Sequence, residues 1–112
     1  MSIKLSPVIE AFLKAKNDYD STAFVACFSE DAVVQDEGQE ISGKTAIKKW
    51  METSTAKYRL TIAAKRLIER DNETVLTAQV SGDFEGSPVL LDYHFVIDET
   101  KISRLRIQLT DK

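Results

Sequence analysis

Cysteine is nearly missing from this 112-residue sequence, and Cys27 is its only representative. An intramolecular disulfide and a cysteine-based metal site are therefore excluded. Histidine is as scarce, with His94 alone. No run of about 18 apolar residues occurs, so no helix long enough to span a bilayer is expected. A basic excess is missing too. Fifteen Lys and Arg stand against eighteen Asp and Glu, for a net charge of −3. Phosphate backbones demand a basic patch or stripe, so nucleic acid is not an expected partner. The first residues, MSIKLSPVIEAFLKAKND, carry one early lysine but no continuous apolar stretch and no small-residue cleavage site. They do not read as a signal peptide, and a cytoplasmic protein is the simplest expectation. Internal repeats, low-complexity tracts and linkers are also missing.

What remains is an ordinary globular composition, 43% hydrophobic and 29% charged, with length for one core spanning residues 1–112 as a single domain. Ser6-Pro7 reads as a helix start, with Ser as N-cap, Pro at the first helical position and Glu10 near the positive dipole end. Val8, Ile9, Phe12 and Leu13 then share one helical face, and the Asn17-Asp18-Tyr19-Asp20 break ends it. Asp20 caps a second short helix presenting Phe24, Val25 and Phe28. Ala32-Val33-Val34 fits a brief strand running into Asp36-Glu37-Gly38. A third helix is expected over about residues 43–53, with Ala46, Ile47, Trp50 and Met51 on its apolar face.

From Tyr58 the period changes to two. Leu60, Ile62 and Ala64 alternate with Thr61, Ala63 and Lys65, as in a strand with one buried face. The phase slips near Lys65-Arg66, which predicts a β-bulge. Asp71-Asn72 marks a hairpin turn, and Val75 to Ser81 forms the return strand. After a loop over 82–88, strands are expected at 89–97 and 102–110. The expected fold class is α+β: three N-terminal helices packed on a strongly curved antiparallel sheet, forming a cone with an apolar pocket.

The order of elements and particular residues resemble the nuclear transport factor 2-like superfamily, in its SnoaL-like branch. The matching stretches are Phe28-Ser29-Glu30-Asp31-Ala32-Val33-Val34-Gln35-Asp36, then Gly43, Ala46-Ile47 and Trp50. In the second half they are residues 82–88, Leu91-x-Tyr93-x-Phe95, and Lys101-Ile102-x-x-Leu105-x-Ile107. The superfamily hosts enzymes, ligand binders and protein adapters, so the fold alone does not decide the function. By resemblance to the ketosteroid isomerases, Asp36 takes the place of the general base. Those enzymes also need a Tyr on the first helix and a protonated Asp on the strand before the last. The matching positions here are Phe12, which cannot donate a hydrogen bond, and Tyr93, which can. The epoxide hydrolases of the superfamily need Arg in the cone, but Arg104 and Arg106 alternate with Leu105, Ile107 and Leu109 and should face outward. Its dehydratases and cyclases use inward His and Asp, and His94 is the sole His.

Two functions follow as expectations. In the first, a small, largely apolar molecule binds in the cone, with Asp36 as base and Tyr93 as hydrogen-bond donor for proton transfer. Phe12, Phe28, Trp50, Phe84, Leu91 and Phe95 would line the pocket. The alternative is a non-catalytic dimeric adapter or structural protein. Each candidate also has a plainer explanation: Asp36 as a turn residue, Tyr93 bonded to backbone, Trp50 as core. Alternation puts His94 with Asp92 and Val96 on the outer face, where a structural or interfacial role outweighs catalysis. Cys27 has no basic neighbour in sequence and is expected to be an inert buried thiol. The acidic group Glu30, Asp31, Asp36 and Glu37 lacks EF-hand spacing, and neither a metal nor another cofactor is expected. Asp92, His94, Arg104, Arg106 and Gln108 would line one outer face and pair within the sheet or across a twofold axis, so a homodimer through that face is expected.

Overall fold

Helix α1 (Pro7–Asn17) starts where the Ser-Pro signal puts it, although the Ser6 side chain makes no capping bond. The computed structural model describes residues 5–36, 38–70 and 72–110. Ile9, Phe12, Ala15 and Lys16 form the buried face of α1. Helix α2 (Ser21–Val25) is capped by Asp20, whose carboxylate accepts from the Ala23 N–H at 3.0 Å. It stops after five residues. Phe28, expected on this helix, is instead the first residue of strand β1 (Phe28–Asp36), which is much longer than the Ala32–Val34 core that marks it.

A strand unforeseen in the sequence follows, β2 (Gln39–Ser42), paired antiparallel to β1. Gly43 then adopts φ +87° as N-cap of α3 (Lys44–Tyr58), a backbone region open to glycine at little cost. Its N–H bonds the Ala32 carbonyl at 2.9 Å, tying the helix start to β1. The helix runs well past the expected residue 53 and ends on Arg59 in the left-handed region. Ile47 and Met51 are buried and Trp50 half-buried; Ala46, placed with them by spacing, is exposed.

Strands β3 (Thr61–Arg70), β4 (Glu73–Ser81), β5 (Val89–Asp98) and β6 (Lys101–Leu109) make an antiparallel meander. The β3–β4 register shifts between Ala64 and Arg66, so the bulge lies at the Lys65-Arg66 phase slip. Arg70 pairs with Glu73 across the hairpin turn; Asp71 lies outside the described residues. At Gly82, after β4, a Cβ would stand 2.6 Å from the Tyr58 carbonyl oxygen, so only glycine lets the loop cross the end of α3.

The six strands form one open, curved sheet in the order β2-β1-β6-β5-β4-β3. Two expectations need correction here. The helices do not all precede the strands, since β1 and β2 separate α2 from α3. Nor is the sheet wholly antiparallel, because β6 inserts beside β1 and runs parallel to it. The long excursion from β1 through α3 and the meander brings β6 back in the same direction as β1, and such a crossover is what a parallel pair requires. The inner face carries Val34, Leu76, Ala78, Phe95, Ile102 and Leu105, each fully buried, and the helices cover it.

Candidate functional site

Asp36 is the last residue of β1 and pairs with Ile107 on β6, which in turn pairs with Tyr93 on β5. Residues opposite one another in a sheet point to the same face. The carboxylate and the phenol therefore share one row of the inner face, with Ile107 between them. The neighbouring row toward the end of β6 is Leu91 paired with Leu109. Leu91 is half-buried and Leu109 is 72% exposed, which gives the row an uncovered apolar lip.

Helix α1 adds a third polar group that the sequence reading did not single out. Lys16 is only 7% exposed. Its ammonium lies 5.7 Å from the Phe24 ring centroid and 5.9 Å from that of Trp50, within reach of both π faces. Burial lowers its pKa to about 8, against which the Asp36 carboxylate acts in the opposite direction. Tyr93 is buried to 2% exposure, and burial first, then the same Asp36 charge, hold its hydroxyl far above its usual pKa. Asp36 thus acts electrostatically on a cation and on a neutral phenol at once. Asn17, next to Lys16, fixes the end of α1 by clamping the Ile62 backbone, accepting its N–H at 2.7 Å and donating to its carbonyl at 2.9 Å.

The residues expected to line a pocket separate into two groups. Phe12, Phe28 and Phe95 are at most 1% exposed and belong to a cluster of rings. The Phe12 centroid is 5.1 Å from Phe24, 5.2 Å from Phe95, 6.1 Å from Tyr93 and 6.2 Å from Phe28, in tilted and edge-on geometries favoured by ring quadrupoles. Trp50, Leu91 and Phe84 are only half-buried. Phe84 stands edge-on against Tyr58 at 6.1 Å, at the end of α3. A separate open pocket of about 610 Å3 lies at the opposite end of the strands, lined by residues including Glu69, Glu73, Thr74, Val96 and Ser103.

His94 lies on the outer face, as its parity requires. Its Nδ1 is 3.3 Å from a Glu73 carboxylate oxygen without hydrogen-bond alignment, and its Nε2 is 3.4 Å from the Gln108 amide nitrogen. Asp92 accepts from the Thr77 and Thr110 hydroxyls at 2.7 and 2.9 Å. Asp92, His94 and Gln108 of the outer row thus have neighbours within the sheet. Cys27 is buried in the turn after α2 rather than within it, and burial raises its thiol pKa, which suits an inert side chain. Among the described residues no three His, Cys, Asp or Glu side chains gather closely enough to hold a metal ion, and no helix is long and apolar enough to cross a membrane.

Residues 9–104 match the model of the SnoaL-like domain. The chain belongs to the SnoaL-like domain family. A crystal structure of a proposed polyketide cyclase from Sinorhizobium meliloti is 33% identical, with a TM-score of 0.89 over 93% of this chain and 95% of that one. A Catenulispora acidiphila protein with a ketosteroid isomerase-like fold, solved with trimethylamine, has a TM-score of 0.85 at 15% identity, covering 96% and 88% of the two chains. A Mycobacterium tuberculosis protein solved with estradiol-17beta-hemisuccinate has a TM-score of 0.79 at 17% identity, covering 92% and 91%. The last two likenesses concern the fold alone. No curated protein matches the chain significantly in sequence. As a SnoaL-like domain the chain shares its architecture with nuclear transport factor 2-like and ketosteroid isomerase-like proteins.

Proposed function

We propose that this SnoaL-like protein binds a small, largely apolar molecule at the wide end of its cone and transfers a proton on it. In this reading Asp36 is the base that removes a proton next to a carbonyl, and Tyr93 donates a hydrogen bond to the oxygen that gains charge. The observation that carries the reading is the shared inner row of Asp36 and Tyr93 beside the exposed Leu91–Leu109 lip. A phenol that burial and a nearby carboxylate keep protonated is a donor and not an anion. Trp50 and Leu91, both half-buried, would contact the ligand, with Phe84 further along the rim. Phe12, Phe28 and Phe95 would form the floor. The steroid body of the ligand bound by one distant relative by fold is of the apolar class read here.

Exchange of the α-hydrogens of a cyclic aryl ketone in deuterated buffer tests the reading. Wild-type protein should accelerate deuterium incorporation measured by mass spectrometry, and Asp36→Asn should abolish the acceleration. Equal rates with and without protein would remove the catalytic part.

The ring cluster gives one observation in favour of a second reading, a non-catalytic dimeric adapter. Four phenylalanines, none more than 1% exposed, fill the narrow part of the interior. In either reading we place the homodimer contact on the outer face of β5 and β6, where Leu90 at the start of β5 is 46% exposed and Arg104 and Arg106 are exposed further along β6.

A further inference from the structure

We infer that Lys16 is the cationic oxygen partner of this site, and that the site is built to take neutral carbonyl compounds in preference to carboxylic acids. The inference rests on the proton-transfer reading above and adds to it the group that follows the moving charge. A buried lysine demands explanation, because ammonium groups are almost never taken out of water without a return. Lys16 lies four residues after Phe12 and seven after Ile9, so it shares the inward face of α1 with them. At the very position where a donor from the first helix would be expected, Phe12 offers only carbon. One turn further on, Lys16 offers three N–H bonds.

The charges support the same conclusion. Lys16 is cationic, Asp36 anionic and Tyr93 neutral, and the Asp36 charge acts on both of the other groups. These three groups sum to zero. When Asp36 takes a proton from carbon, its O–H bond forms, the C–H bond breaks, and the electron pair moves onto the carbonyl oxygen as an enolate. The set with its ligand is still neutral, and Lys16 has an anion beside it before and after the step. Preorganised charge of this sort needs no reorganisation as the reaction proceeds. A carboxylate ligand would instead bring a second negative charge into a poorly solvated site. At neutral pH a lysine with its pKa near 8 is still mostly protonated, so it acts as a cation and not as a nucleophile.

Three probes with the same apolar body separate the possibilities: naphthalene, 2-naphthol and 2-naphthoate. Binding is read by Trp50 fluorescence, and the naphthol ionisation state by absorbance. Wild-type protein should bind 2-naphthol about tenfold more tightly than 2-naphthoate, and part of the bound naphthol should show the naphtholate spectrum at pH 7, its proton passing to Asp36 so that the charge of the set stays zero. In Lys16→Met, a near-isosteric apolar replacement, the naphtholate signal should vanish while naphthalene affinity stays within about twofold. Independently of the variant, 15N-lysine NMR of the wild-type protein should show one amine titrating near 8 that rises when 2-naphthol binds. Unchanged naphthol spectra in both proteins, with naphthalene bound, would overturn the role of Lys16 and leave the pocket reading standing. No binding of any of the three would overturn both.

Discussion

The two faces of the same sheet treat polar groups in opposite ways. On the outer face, Asp92 is held by two threonine hydroxyls and Glu73 lies within 4 Å of both His94 and Arg106. Asp92 of β5 is thus held from the adjacent β4 by Thr77, and Glu73 of β4 reaches across β5 to Arg106 of β6. On the inner side, Tyr93 of β5 and Lys16 of the covering helix α1 are buried among rings, and both have pKa values displaced by burial. Consecutive residues show the contrast most sharply, since Tyr93 points in and His94 points out. Polar groups on the outer face stabilise a ladder, whereas those on the inner face cost stability and are retained where a site can use them.

The largest effect that would break this comparison lies at Phe12. It sits among four other rings, and Phe12→Ala should cost about 3–5 kcal/mol in chemical denaturation. A loss below about 1 kcal/mol would mean that the inner floor is not packed as described.

Next comes Lys16. Its folded pKa of about 8 lies below the ordinary 10.5, so between those values the unfolded chain holds more protons and stability must rise with pH. At roughly 1.4 kcal/mol per pH unit, the full cost of burying the charged amine is on the order of 3 kcal/mol, present in full below pH 8. Cys27 acts the other way from about pH 9 upward, because burial raises its thiol pKa, and Tyr93 does so above about pH 10. Subtracting the Lys16→Met profile from that of the wild type isolates the lysine. Lys16→Met should be more stable at pH 7, with the gap closing as pH rises through 8. A gap that does not change with pH would show that the amine is solvated.

Trp50 should give a smaller loss. Being half-buried, it should cost less than about 3 kcal/mol on replacement by Ala, and its emission should shift when an apolar ligand enters. A core-sized loss without any ligand response would make it a packing residue only. The smallest effect on folding is expected outside, at Arg106, which is 46% exposed and 3.7 Å from Glu73. Arg106→Glu should change monomer stability by less than about 1 kcal/mol, yet weaken a dimer that uses this face. Sedimentation of the wild type at the 12.6 kDa monomer mass at micromolar concentration would remove the dimer altogether.

Much of this arrangement is legible in the residues. The period-two alternation of Leu91, Tyr93 and Phe95 separates the faces of β5, the phase slip at Lys65-Arg66 marks the bulge, and Asp20 marks the start of α2. Strand β1 is harder to read because Ser29, Glu30 and Asp31 interrupt its apolar pattern before the ladder becomes regular at Val33. Strand β2, Gln39-Glu40-Ile41-Ser42, buries only Ile41, so one residue is its whole signal. Lys16 escapes notice for a different reason. Charged residues on an amphipathic helix are counted as its wet side, and only its spacing from Ile9 and Phe12 betrays the inward face.

Strand β6 has a consequence for how the chain assembles. It is the central seam of the sheet, with β1 on one side and β5 on the other, so Val34 meets Leu105 only when both halves of the polypeptide are present. During synthesis the meander β3–β5 can form from local contacts, but β1 must wait for a partner made long afterward. Closing so distant a contact slows folding relative to a helical bundle. Until it closes, the facing edges of β1 and β6 stay unpaired, and these are the edges through which nascent copies of this protein should stick to one another.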